Sequence, residues 1–178
     1  MSQVLFGQSY YLRFDPKLYA AMQPYLPLGT LYAASYLRSL GFDVALFDAM
    51  LAESEAEWAA ALDRHRPRYA ILYEDNFNYL SKMCLLRMRA AMRAMIGMAK
   101  ERGCRVILCG ADPTDHAEEF MARGADYVLL GEGEETLGEL LDALHGKSGI
   151  EMPEIRGLAY LTPEGPRRTP RRPDIRNL

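Results

Sequence analysis

A short apolar run, a glycine, a polar loop and a helical pattern follow one another twice between residues 105 and 144. Val106–Cys109 runs into Gly110, and Tyr127–Leu130 runs into Gly131. A strand that stops at glycine and feeds a helix, repeated, is the pattern of a parallel sheet covered by helices. In such sheets ligands bind outside the carboxyl ends of the strands. The loops at Gly110–Asp115 and Gly131–Glu135 are therefore expected on the functional edge.

The same unit is legible upstream. Strands are expected at about 3–7, 43–47, 69–73, 105–109 and 126–130. Helical periodicity begins at Pro27 and stops at Gly41, with Leu28, Leu31, Tyr32, Ser35 and Leu40 at helical spacing. Further helices are expected at Glu53–Arg66, Lys82–Arg102, Asp115–Arg123 and Glu134–Leu144, with Asp115 as an N-cap. Five such units predict an α/β fold, a flavodoxin-like three-layer α/β/α sandwich with a five-stranded parallel sheet in the order 2-1-3-4-5. Residues 149–178 are expected to form an extension outside a 1–148 domain. Arg156–Leu161 reads there as a strand, Arg167–Thr169 as its hairpin return, and Pro170 onward as an exit linker. Residues 8–26 form a long connection rich in Tyr, Met and Pro. It suits either a flap over a large flat ligand or a loop packed by its own aromatics. The Met residues of the 82–102 helix read as core filler, because Met fits irregular gaps.

Charge narrows the partners. From Glu164 onward five arginines face two carboxylates, which leaves −6 on the rest of a chain whose formal charge is −3. An acidic body with a short basic tail is a poor nucleic-acid binder. No apolar run approaches the roughly 20 residues of a membrane span. The start reads as a strand and not a signal peptide. Cys84, Cys104 and Cys109 lack metal-site spacing and fit reduced thiols in a cytoplasmic protein.

Several chemistries lack their parts. Gly131-Glu132-Gly133-Glu134-Glu135 has no third glycine and carries three carboxylates, whereas a pyrophosphate wants backbone N–H groups without adjacent anions. A neutral ligand rich in amides or hydroxyls suits this loop better. Its acids also compensate the helix dipole, and its glycines let backbone approach a ligand closely. There is no P-loop. Gly7-Gln8-Ser9 offers neither a flavodoxin phosphate cradle nor the acids of a response regulator. His65, His116 and His145 are scattered, and spacing assembles no triad or metal set. Glu74, Asp75, Asp112 and Asp115 fall near the ligand edge, as solvated acids or as groups for cations and hydroxyls.

The wording of three segments carries a resemblance. These are PLGTLYAASYLRSLGFDVALFDA, VILCGADPTDHAEEFMARGADYVLLGEGEETLGELLDAL and IRGLAYLTPEGPRRTPRRPDIRNL. They resemble the N-terminal cobalamin-binding-like domain of the cobalamin-dependent radical S-adenosylmethionine (SAM) family, and proteins of the anaerobic magnesium-protoporphyrin IX monomethyl ester cyclase type in particular. The resemblance implies cobalamin across the carboxyl edge of the sheet. It implicates Tyr73, Glu74, Asp75 and Asn76, then Gly110, Ala111 and Asp112, then Gly131, Glu132, Gly133 and Glu134 as cofactor-binding residues. It names no catalytic residue and no metal ligand. The loop after the first strand has no histidine of the DxHxxG kind, which implies base-off cobalamin without a protein histidine on cobalt. The cluster motif CxxxCxxC is absent from the chain. S-adenosylmethionine and a 4Fe-4S cluster would therefore belong to a radical SAM barrel in cis, which would also hold a small-molecule substrate. The implied function is methyl transfer or cyclase-type chemistry in the full-length enzyme. The alternative is a domain that has lost cobalamin and binds a substrate or partner.

Overall fold

The computed structural model describes residues 3–74 and 85–175. Strands β1 (Val4–Gly7), β2 (Val44–Leu46), β3 (Tyr69–Tyr73), β4 (Arg105–Cys109) and β5 (Tyr127–Leu129) pair in parallel in the order 2-1-3-4-5. The sheet does not stop there. Strands β6 (Leu158–Thr162) and β7 (Gly165–Arg168) continue it, giving seven strands in the order β2-β1-β3-β4-β5-β6-β7. β6 runs antiparallel to β5, with Val128 opposite Ala159 and Leu129 opposite Leu158. The expected hairpin extension is thus part of the same sheet and not an appendage. Leu158, Ala159 and Tyr160 are buried, and that burial holds the hairpin in place.

Alternation along the strands sorts side chains onto two faces. Leu5, Leu72, Val106, Leu108 and Val128 meet α3 (Glu55–His65), α4 (Leu85–Glu101) and α6 (Ala117–Ala122) through Trp58, Leu62, Met92, Met95, Ile96 and Phe120. Phe6, Ile71, Tyr73, Ile107, Cys109 and Leu129 meet α2 (Leu28–Ser39) and α7 (Glu134–Leu144) through Leu37, Leu137, Leu140 and Leu141. Met92 and Met95 sit in the core, as expected of a gap-filling helix. Gly7, the last residue of β1, lies against Trp58; a Cβ there would stand 2.9 Å from the indole, so only glycine fits.

The 8–26 connection divides. Its first half packs on the fold: Tyr10, Tyr11 and Leu12 are buried, and the Tyr10 hydroxyl donates to Asp15 at 2.5 Å. Asp15 in turn accepts from the backbone of Lys17 and Leu18 and caps α1 (Pro16–Ala21). Met22 and Leu26, after α1, are exposed.

One helix start differs from expectation. The Gly110–Asp115 stretch is not a loop, because α5 (Ala111–Asp115) begins directly after Gly110. Pro113 falls in its first turn, where a missing N–H costs nothing. Asp115 ends α5 and caps no helix; His116 leaves helical geometry and α6 starts after it.

Candidate functional site

The described candidate residues lie at or just after the carboxyl end of a parallel strand, so the topology gathers them on one edge. Asp75 and Asn76 lie outside the described residues.

Tyr73, the last residue of β3, is the buried centre of the edge. Its carbonyl accepts from the Thr30 hydroxyl at 2.7 Å, and its own hydroxyl accepts from Gly133 N at 3.3 Å. Burial pushes the phenol pKa up, and the nearby Cys109 and Glu134 push it further. The Cys109 thiol below the same loop is pushed up to about 12, chiefly by burial. It stays protonated at neutral pH, which removes it as a nucleophile.

Glu74 joins three strand ends. Its N–H donates to Cys109 O at 2.9 Å, and its carboxylate accepts from Ser9 N at 2.7 Å. Gly110 lies against it with φ 137°, and a Cβ there would stand 2.7 Å from the Glu74 Cβ. Ala111 and Asp112 open α5. The Asp112 carboxylate takes two bonds from Arg89, at 2.9 and 2.5 Å, and lies 2.9 Å from His116 Nδ1. Asp112 is therefore already engaged within the protein.

The 131–134 loop holds two different glycines. Gly131 has φ 81°, and a Cβ there would meet nothing within 4 Å, so it is a turn glycine beneath open space. Gly133 has an ordinary φ of −101°, but a Cβ there would fall 2.6 Å from Cys109 Sγ and 3.2 Å from the Tyr73 ring. Thr114 steadies the loop by accepting from Gly131 N at 3.3 Å. Glu132 is exposed and accepts from Ile175 N at 2.6 Å.

Two polar atoms on this edge are buried without a hydrogen-bond partner: Gln8 Nε2, after β1, and Glu134 Oε2, at the start of α7. The two residues are 2 % and 7 % exposed. Burying such groups unpaired is costly, so each is a place where a bound group with the complementary donor or acceptor would be stabilised. Gln8 is absent from the residues that sequence alone points to. Its signal was its position directly after a parallel strand, the same rule that found the other loops.

The histidines lie apart. His65 ends α3, His116 borders Asp112, and His145 caps α7 between the rings of Phe42 and Tyr69. Among the described residues no three His, Cys, Asp or Glu side chains form a metal-binding group. None of the described helices is long and apolar enough to cross a membrane.

Comparison with known proteins places the chain in a family. Residues 20–141 match the B12-binding domain family. The fold superposes on OxsB, a cobalamin-dependent S-adenosylmethionine radical enzyme solved with aqua-cobalamin bound, at a TM-score of 0.72 and 19% identity. That match covers 98% of this chain and 23% of OxsB. It also superposes on the radical S-adenosylmethionine methyltransferase TsrM from Kitasatospora setae, solved with cobalamin and a [4Fe-4S] cluster bound. There the TM-score is 0.70 at 20% identity, over 96% of this chain and 31% of TsrM. The chain thus spans less than a third of either structure. No curated protein matches the sequence.

Proposed function

Because the chain belongs to the B12-binding domain family, we propose that it binds cobalamin across the carboxyl edge of its sheet, over the loops at Gln8–Ser9, Gly110–Asp112 and Gly131–Glu134. The observation that carries this reading is the pair of buried, unpartnered atoms Gln8 Nε2 and Glu134 Oε2 on that edge. Cobalamin is rimmed with neutral amides and carries a hydroxyl-bearing tail, so it offers acceptors to Gln8 and donors to Glu134. The open space over Gly131 leaves room for the approach. Tyr73, Glu74, Ala111 and Glu132 frame the contact.

When bound, cobalamin supplies a cobalt centre able to carry a methyl group. The chain's own part is to hold and orient it. Base-off cobalamin without a protein histidine is what the resemblance implies, and Gly7, Gln8 and Ser9 offer no imidazole at this edge. S-adenosylmethionine and an iron–sulfur cluster belong, in this reading, to a radical SAM barrel in the same polypeptide, where methyl transfer or cyclase-type chemistry would act on a small molecule. The resemblance of the sequence to such enzymes, and the folds of OxsB and TsrM, support that placement.

Titration of the chain with hydroxocobalamin, followed by absorbance, tests the binding. A saturable spectral change and co-elution of one corrinoid per chain are expected. No change at millimolar cobalamin would replace this reading with that of a substrate- or partner-binding module. Electron paramagnetic resonance of the chain loaded with Co(II) cobinamide, which lacks its own base, is expected to show no imidazole-nitrogen splitting. Splitting that disappears in His116→Ala would overturn the expectation that no protein histidine binds cobalt.

A further inference from the structure

The segment after the hairpin reads in sequence as exit linker, yet it folds back over the candidate cofactor loop. Arg172 is the anchor. Its side chain is only 12% exposed, unusual for arginine. Its guanidinium donates to Thr136 Oγ1 at 2.9 Å, to Glu135 at 3.0 Å, and to Glu139. Thr136 donates its own hydroxyl proton to Arg156 O at 2.9 Å. Gly157 ties the strap to the sheet: its N–H donates to Pro170 O at 2.8 Å, and its carbonyl accepts from Leu130 N at 2.7 Å. Ile175 N reaches Glu132 at the far side of the loop.

We infer that Pro170–Ile175 is a working part of the corrinoid site, and that Arg172 is a positioning residue that fixes the Gly131–Glu135 loop against the cofactor. The inference rests on the cobalamin reading above. The loop and the first turns of α7 carry Glu132, Glu134, Glu135 and Glu139 close together. Arg172 draws Glu135 and Glu139 to one guanidinium, and Ile175 N occupies Glu132. Glu134 alone is buried, beside the Tyr73 hydroxyl, with its Oε2 left without a hydrogen-bond partner. The strap therefore holds three of the four acids on itself and leaves one acceptor for a neutral donor of the ligand. A planar fork with three partners is only partly replaced by an ammonium. By linkage, a ligand that binds the strapped loop stabilises the strap by the same factor.

The test compares hydroxocobalamin Kd and the thermal midpoint of the free protein in full-length variants. Arg172→Ala is expected to raise Kd tenfold or more, and Arg172→Lys to recover part of that loss. Arg102→Ala serves as the matched control. Arg102 makes an equivalent two-pronged pair with Asp63, at 2.7 and 3.1 Å, at the opposite end of the strands. Its loss is expected to leave Kd unchanged whatever it does to the midpoint. Should Arg172→Ala not fold, Glu139→Gln loosens the same guanidinium and is expected to weaken binding in the same direction. Wild-type binding beside unchanged Kd in Arg172→Ala, or equal weakening by Arg102→Ala, overturns this inference alone. Failure of the wild-type chain to bind hydroxocobalamin overturns the cobalamin reading and this inference with it.

Discussion

Gly131 and Gly133 stand two residues apart and are glycine for different reasons. Gly133→Ala forces a methyl onto Cys109 Sγ and the Tyr73 ring. Overpacking of this kind costs about 1–3 kcal/mol. Gly131→Ala meets no atom but holds alanine at φ 81°, a strain of about 1 kcal/mol. Urea denaturation of the free chain should rank Gly133→Ala as the costlier change; the reverse order would deny the packing described. The sequence showed both glycines but not this division, because the neighbours of Gly133 come from β3 and β4. His145 supplies a pH prediction. Burial, and then Arg68 and Lys147, lower its pKa below the ordinary 6.5. The neutral ring is favoured in the fold, so its stabilisation is complete above pH 6.5 and is lost as pH falls through the lowered value. The thermal midpoint should therefore drop between pH 7 and 5 in the wild type and drop less in His145→Gln. Equal drops would exclude His145 as the source.

Elements were legible where periodicity was strict and local. Helix α7 starts and stops at Glu134 and Leu144, as its leucine spacing predicts. The parallel strand order followed from repeated strand–helix units. The place of β6 did not, since a strand's partner across 30 residues leaves no local trace. Nor did the start of α5, where the loop signals Gly110, Asp112 and Pro113 instead open a helix. The hairpin's membership of the sheet has a measurable consequence. Leu158 is fully buried in the face that also holds Leu129 and Leu137. Leu158→Ala should cost about 2–5 kcal/mol in chemical denaturation. A cost near zero would make the hairpin an appendage after all. The β7 side of the hairpin is pinned by Arg168 on Glu118, whose carboxyl is held down at about 2. Both groups are half exposed, so that pair adds little to stability.

At the scale of the molecule, two arginines of the basic tail pair with the body of the domain, Arg168 with Glu118 and Arg172 with Glu135 and Glu139, while Arg171 pairs with Asp174 within the tail. Bulk charge predicted a poor nucleic-acid binder, but only the folded chain shows where those arginines go. The edge itself was legible, because strand–glycine–helix units send their loops to one side of the sheet. The buried atoms of Gln8 and Glu134 were not, because pairing is a property of the packed chain. The central claim is that a corrinoid lies across this edge, and hydrogen exchange of the full chain with and without hydroxocobalamin tests it most directly. Slowed exchange is predicted at residues 8–9, 110–112 and 131–135, with no change in the opposite turns at 41–43, 103–105 and 124–126. Protection confined to those opposite turns, or binding without protection at 131–135, would contradict it.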